Sequence, residues 1–296
     1  MGSYMHKEGI LETVDLAINS LVERIKNELG DNIESIFIAG SYVTGNISVQ
    51  CPNVNLYVIS KPNKSNELFL PLGKIFYEIK KNFEDKINVV ADLKPYRFAY
   101  YKPVKDKVTL TIRLNLFDMR DKDKKFMVPD YVLRGWLSSE KILYGQDVLK
   151  DLPIKVEVSP EIINQKRFVL LTIMQQLKHI PFTYDWSKEP ELLFHESYEF
   201  SKYLLSEGLL LKMEKSEIEA GLDVKIYDEK EKFINFYLEK YGSEAADLAK
   251  KVMEAREHYL EWKDDIGKAK QMYSTAWRIY GIVWRTLLEK TQPPGK

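Results

Sequence analysis

The sequence predicts an α/β domain followed by an all-α helical bundle, with the change of character near residue 155. Three observations predict it. Through the first part of the chain, segments with helical spacing of apolar residues alternate with short apolar runs and one long alternating run. Beyond Asp151-Leu152-Pro153 and Ser159-Pro160 only helical periodicity continues. A length of 296 residues is long for one compact domain and comfortable for two, which fall as 1–155 and 156–296.

The elements follow in order. From Glu8 to Leu29, the residues Ile10, Val14, Ala17, Leu21 and Ile25 recur at helical spacing, and Gly30-Asp31-Asn32 stops the helix. Ser35–Ala39 and Val54–Ser60 are apolar at nearly every position, as adjacent strands of a sheet covered by helices should be. Lys61-Pro62-Asn63 breaks the chain. The helix expected over Asn66–Asn82 carries Leu68, Leu72, Ile75, Phe76 and Ile79 on one side. Ile87–Leu93 and Arg97–Tyr101 read as further strands. Val108–Phe117 alternates, with Val108, Leu110, Ile112, Leu114 and Leu116 on one face and Thr109, Thr111, Arg113 and Asn115 on the other. Pro129–Lys141 reads as a helix leading into Ile142-Leu143-Tyr144-Gly145.

In the second half, helices are expected over Glu161–His179, Pro190–Met213, Glu229–Tyr241, Ser243–Trp262 and Ile266–Lys290, the first with Ser159 as N-cap and Pro160 at its first position. The last carries Ile266, Tyr273, Trp277, Tyr280, Trp284 and Leu287 on one stripe. That stripe is assigned to the bundle core, the other reading of such a row being a base-stacking platform.

Composition excludes several classes. An apolar share of 45% supports sizeable cores rather than disorder. The 44 basic and 44 acidic residues balance, which argues against a strongly electrostatic nucleic-acid footprint. A single cysteine, Cys51, excludes an intrachain disulfide and fits a reducing cytoplasm. No signal-peptide pattern and no apolar run long enough to span a bilayer occur, so no membrane partner is expected.

Chemistry concentrates between Ile36 and Ile59, in IFIAGSYVTGNISVQCPNVNLYVI. A strand ends at Gly40-Ser41, a polar loop follows, and the next strand opens on Asn53-Val54-Asn55. Residues i and i+2 of a strand share a face, and a glycine lets backbone N–H groups approach phosphate oxygens closely. This arrangement resembles the signature of the nucleotidyltransferase fold, the DNA polymerase beta superfamily. In that family a Gly-Ser or Gly-Gly pair is followed, one loop later, by Asp-x-Asp at the start of the next strand.

The resemblance implies a mixed sheet, nucleotide phosphates at Gly40 and Ser41, and Mg²⁺ held by carboxylates at positions 53 and 55. Here both positions are asparagine. An amide offers one neutral oxygen, whereas Mg²⁺ binds mainly through hard anionic oxygens. No metal is therefore expected on Asn53 and Asn55, and Mg²⁺ only if the carboxylates are restored. The family's third carboxylate comes from a neighbouring strand and falls on Asn115, beside Arg113, or on Asp92. With Asn115 in that place the loss of charge runs across the site and reads as natural decay or repurposing, whereas with Asp92 there Asn53 and Asn55 read as a deliberate Asp-to-Asn knock-out. With the negative charges gone, Arg113 becomes a candidate phosphate ligand. Asn53, Asn55 and Asn115 are expected along a groove between the domains, with Gly40 and Ser41 at its floor.

The resemblance covers the first half of the chain, where a helix ending in Leu143-Tyr144-Gly145 would also fit it. The second half resembles the helical domain of antibiotic adenylyltransferases and HEPN-type bundles, with Gly208–Gly221 as a turn and Lys-containing segment between helices. In such transferases a carboxylate of the helical domain can act as general base, a place Glu196 or Glu199 could fill. His195 and Glu199 have the i, i+4 spacing of a metal pair but no third ligand nearby, and are assigned to the surface. Arg256-Glu257-His258 is too closely spaced for a HEPN ribonuclease. Cys51 has no His partner near it in sequence and is taken as a packed side chain. Lys122, Lys124 and Lys125 decorate a solvated turn.

Three functions follow, from different classes. The leading one is a nucleotide- or phosphate-binding pseudoenzyme with a regulatory or scaffolding role. The second is a metal-dependent nucleotidyltransferase acting on a hydroxyl acceptor, seen as an inactivated variant. The third is a protein-interaction module, and a homo-oligomer or protein partner is compatible with all three.

Overall fold

The computed structural model describes residues 7–92, 107–118, 140–150, 160–183, 185–219 and 229–291. It divides into two compact units, Met1–Lys155 and Val156–Lys296. The first is α/β with a mixed sheet and the second is helical.

In the first unit α1 (Lys7–Leu29) leads through a short 3-10 turn into β1 (Ile33–Ala39). Ile10, Val14, Ala17, Leu21 and Ile25 are all buried, as their spacing requires. β2 (Asn53–Ser60) runs antiparallel to β1, and α2 (Ser65–Asn82) follows, burying the predicted Leu68, Leu72, Ile75, Phe76 and Ile79. β3 (Asn88–Asp92), β4 (Thr109–Asp118) and β5 (Lys141–Gly145) complete a sheet of order β3-β4-β2-β1-β5. β4 lies parallel to both β2 and β3, and β5 antiparallel to β1, so the sheet is mixed. Asp118, at the end of β4, is buried and accepts hydrogen bonds from the Asn63 amide at 3.1 Å and the Ser65 hydroxyl at 3.3 Å. It thereby fixes the turn from β2 into α2.

Burial along β2 explains why the site lies at one end of the sheet. From Leu56 onward every residue is buried, whereas at the start Val54 is buried and Asn53 and Asn55 are only half covered. The face bearing the two asparagines is open just where the strand begins.

The helix ending in Leu-Tyr-Gly is corrected: Lys141–Gly145 is a strand. Ile142 and Tyr144 favour extended backbone and pair with Phe37 and Ile36 of β1, with Leu143 at the register shift between them. The expected strand at 97–101, most of the expected helix at 129–141, Ser159, Gly221 and the lysines at 122, 124 and 125 lie outside the described residues.

The second unit comprises α3 (Pro160–Thr183), α4 (Pro190–Lys212), α5 (Lys215–Glu219), α6 (Lys230–Tyr241), α7 (Ser243–Glu257), α8 (Tyr259–Trp262) and α9 (Ile266–Thr291). Gly208 is not in a turn but inside α4. A Cβ there would come within 3.0 Å of the Tyr237 hydroxyl and 3.2 Å of Val283 Cγ2, so a glycine permits α6 and α9 to approach. The aromatic stripe of α9 is also corrected. Of the expected stripe, Tyr280 and Leu287 are buried in the core with Ala269, Met272, Ala276, Ile279 and Val283, while Tyr273, Trp277 and Trp284 are half-buried at its margin and Ile266 is exposed. Tyr273, Trp277, Tyr280 and Trp284 contact one another ring to ring in succession. Ala269, Ala276 and Met272 fill the centre because small and flexible side chains allow close helix packing there. No described helix is long and apolar enough to cross a membrane.

Candidate functional site

β1 ends at Ala39, and Gly40 turns the chain with φ +88, a left-handed conformation that glycine adopts without strain. The amides of Val43 and Thr44 return to the Gly40 carbonyl at 3.0 and 3.3 Å, closing a turn that contains Ser41. Tyr42 fastens this turn to α1 by donating to Asp15 Oδ1 at 2.5 Å. Burial, reinforced by that bond, pushes the Tyr42 phenol above its ordinary value.

Asn55 stands against this turn. Its Nδ2 donates to the Ala39 carbonyl at 3.4 Å, and a Cβ on Gly40 would lie only 2.9 Å from the same nitrogen. Its Oδ1 is buried with no hydrogen-bond partner. The glycine thus makes room for the amide, and the amide holds the residue before the glycine. An aspartate at this position would have no N–H for the Ala39 carbonyl.

The register fixes what surrounds the pair. Asn53 is abreast of Thr111 and Asn55 abreast of Arg113 on parallel β4, while Ala39 is abreast of Asn55 on β1. Asn115 is abreast of Tyr57, one pair further along and roughly 7 Å from the level of Asn55. Tyr57 stacks on Phe37, with ring centroids 4.7 Å apart, and closes that level with aromatic packing. Asn115 instead donates to the Arg113 carbonyl at 3.3 Å. The structure therefore brings together Gly40, Ser41, Asn53, Asn55 and Arg113 at one end of the sheet and sets Asn115 one step inside it. Asp92 is abreast of Arg113, but on β3, which is not a neighbour of β2. Two strand spacings of roughly 4.8 Å separate its backbone from Asn55.

The divalent cation that the resemblance implies does not fit these residues. Positions 53 and 55 offer neutral amides, one of them already turned to a carbonyl, and a guanidinium occupies the β4 position alongside. Hard cations bind mainly through anionic oxygen, and a neighbouring positive charge opposes them.

Other sequence candidates fall elsewhere. His195 and Glu199 are buried rather than on the surface, because α4 is covered on nearly every side. His195 Nδ1 is hydrogen-bonded to the Tyr259 hydroxyl, and Glu199 accepts from Lys202 at 2.6 Å. Cys51 Sγ lies 3.4 Å from the Ser48 hydroxyl. His258 stacks on Trp262 and meets Glu261 at 3.0 Å. Glu140, just before β5, was not singled out by sequence. One carboxylate oxygen is buried without a partner, and burial, followed by the charge of Asp147, pushes its carboxyl up to about 7. No local motif marks it, because its burial depends on strand pairing.

No protein-family model matches the chain, and no curated protein matches it. Among solved structures it is similar to spectinomycin adenyltransferase AAD(9) from Enterococcus faecialis, solved with ATP and spectinomycin. The identity is 12%, the match covers 88% of this chain and 98% of that one, and the TM-score is 0.41. At that identity and score no residue role is carried across.

Proposed function

We propose that this chain is a nucleotidyltransferase-like pseudoenzyme whose site at the end of the sheet binds nucleotide, or another phosphate, without metal and serves a regulatory or scaffolding role. The placement of a Gly-Ser turn against an i, i+2 polar pair, with a parallel strand alongside, supports the ligand class. One observation carries the rest: Arg113 is abreast of Asn55. Where a metal-dependent site would gather negative charge, this one has neutral amides and a cation. A guanidinium binds phosphate through charge-assisted hydrogen bonds and needs no bridging ion.

Thermal shift with ATP, in EDTA and again with Mg²⁺, tests the reading. A ligand at one hundred times its Kd stabilises by about 2.7 kcal/mol, so an equal upward shift with and without Mg²⁺ is expected. A shift that requires Mg²⁺ would favour the catalytic alternative, and no shift would favour the interaction module.

A further inference from the structure

α2 buries one face and leaves the other to solvent. On the outer face Leu70 is 87% exposed and Tyr77 67%, with Phe69 at 58% on the flank. Gly73 lies between them, with nothing within 4 Å of where a Cβ would stand. The outward side of an amphipathic helix is ordinarily polar. A row of large apolar side chains around an open glycine is instead a surface onto which another helix can lie closely.

Charge identifies the occupant. Glu67 and Lys81 are both exposed and stand at opposite ends of one flank of this face. A second α2 laid antiparallel, with the two-fold axis near Gly73 and Lys74, sets Glu67 of each copy beside Lys81 of the other. The same operation sets Leu70 of each copy against Tyr77 of the other. Each contact occurs twice, as a two-fold interface demands. Lys74 would face its symmetry mate near the axis, and Glu78, one turn on, is already held by Arg24 of α1, so this like-charge contact works against the pairing. The bond from Lys64 to Glu67 at 2.9 Å is exposed and of the weak kind that yields to a better partner. Away from the axis the face is complementary to itself, acid to base at Glu67 and Lys81 and apolar to apolar at Leu70 and Tyr77.

We propose that the outer face of α2 is the contact of a homodimer of this chain. One helix face per copy makes a small interface, so a dissociation constant in the micromolar range, roughly 1–100 μM, is expected.

Sedimentation equilibrium of the full chain over a wide concentration range tests this. The expected result is reversible conversion from the 34.7 kDa chain to twice that mass. Leu70→Asp should leave only the smaller species, with an unchanged circular dichroism spectrum because the position is exposed. Glu67→Lys and Lys81→Glu should each weaken association about three- to tenfold, and the two combined in one chain should restore it. Gly73→Cys in a Cys51→Ser background should form a disulfide-linked dimer on oxidation. A single 34.7 kDa species at every concentration overturns the proposal. So does a dimer indifferent to Leu70→Asp, or a charge swap that restores nothing.

Discussion

Asn55 and Arg113 lie abreast on the parallel strands β2 and β4, at the end of the sheet where the Gly40 turn begins. The residue where the resemblance would put a second carboxylate is therefore abreast of a cation rather than of another acid. Arg113→Gln is expected to weaken ATP binding in EDTA about tenfold, the scale of one charge-assisted hydrogen bond. It should also flatten the dependence of affinity on salt. Titration calorimetry at low and high salt checks both, and unchanged affinity would remove Arg113 from the site.

Gly40 and Asn55 form one unit. Gly40→Ala forces a side chain into a left-handed backbone and within 2.9 Å of Asn55 Nδ2. A loss of ~1–3 kcal/mol is expected, from the backbone penalty and displacement of the amide. Urea denaturation measures it. Gly73→Ala, in open space on α2, should stabilise slightly because alanine favours helix.

The sheet core was legible because β1 and β2 are apolar on nearly every position, and α2 because its five buried residues fall at helical spacing. The site was legible as residue types, not as a register. Which residue of Val108–Phe117 stands beside Asn55 depends on how β4 slides along β2, and no local pattern sets that. Alternation put Arg113 and Asn115 correctly on one face but could not distinguish their levels. Asp92 likewise reads as a near neighbour until the strand order separates β3 from β2. Lys141–Gly145 was misread because so short an apolar run carries no period. His195 and Glu199 read as surface because α4 is buried on more faces than a two-sided helix.

Glu140 should make stability fall as pH rises. Its carboxyl is held at about 7 in the fold against an ordinary 4.5. The unfolded chain therefore loses this proton first, and the penalty grows from about pH 4.5 to pH 7 and stays constant above. Glu140→Gln should raise stability at pH 8 and leave it unchanged at pH 4. Because the group is partly exposed, a gain of about 1 kcal/mol is expected, well below the full linkage value. Equal effects at both pH values would show that packing, not charge, is involved.

Lys166 and Glu207 meet at 2.5 Å between α3 and α4, each side chain only 5% exposed. Removing one partner strands the other charge in the helical unit. Lys166→Met should cost about 3–5 kcal/mol, whereas Lys166→Met with Glu207→Leu should recover most of it. Chemical denaturation of the two variants separates a buried ion pair that sets helix register from one that supplies net stability.

Restoring both carboxylates distinguishes the pseudoenzyme from a disabled enzyme. In Asn53→Asp/Asn55→Asp, position 55 loses its donor to the Ala39 carbonyl and sets an anion beside it. Without metal the variant should be less stable by about 1–3 kcal/mol. Mg²⁺ should then stabilise it, because two carboxylates sharing a face of β2 can converge on one cation. Arg113 still lies abreast and opposes that cation, so adding Arg113→Gln should enlarge the Mg²⁺ response. Thermal shift with Mg²⁺ reads the metal, and release of pyrophosphate from nucleoside triphosphate reads the chemistry. If the double and triple variants gain neither, the knock-out reading fails and the pseudoenzyme reading stands. Turnover by either would make the native chain a nucleotidyltransferase lacking only its charges, and the catalytic alternative would then be the better account.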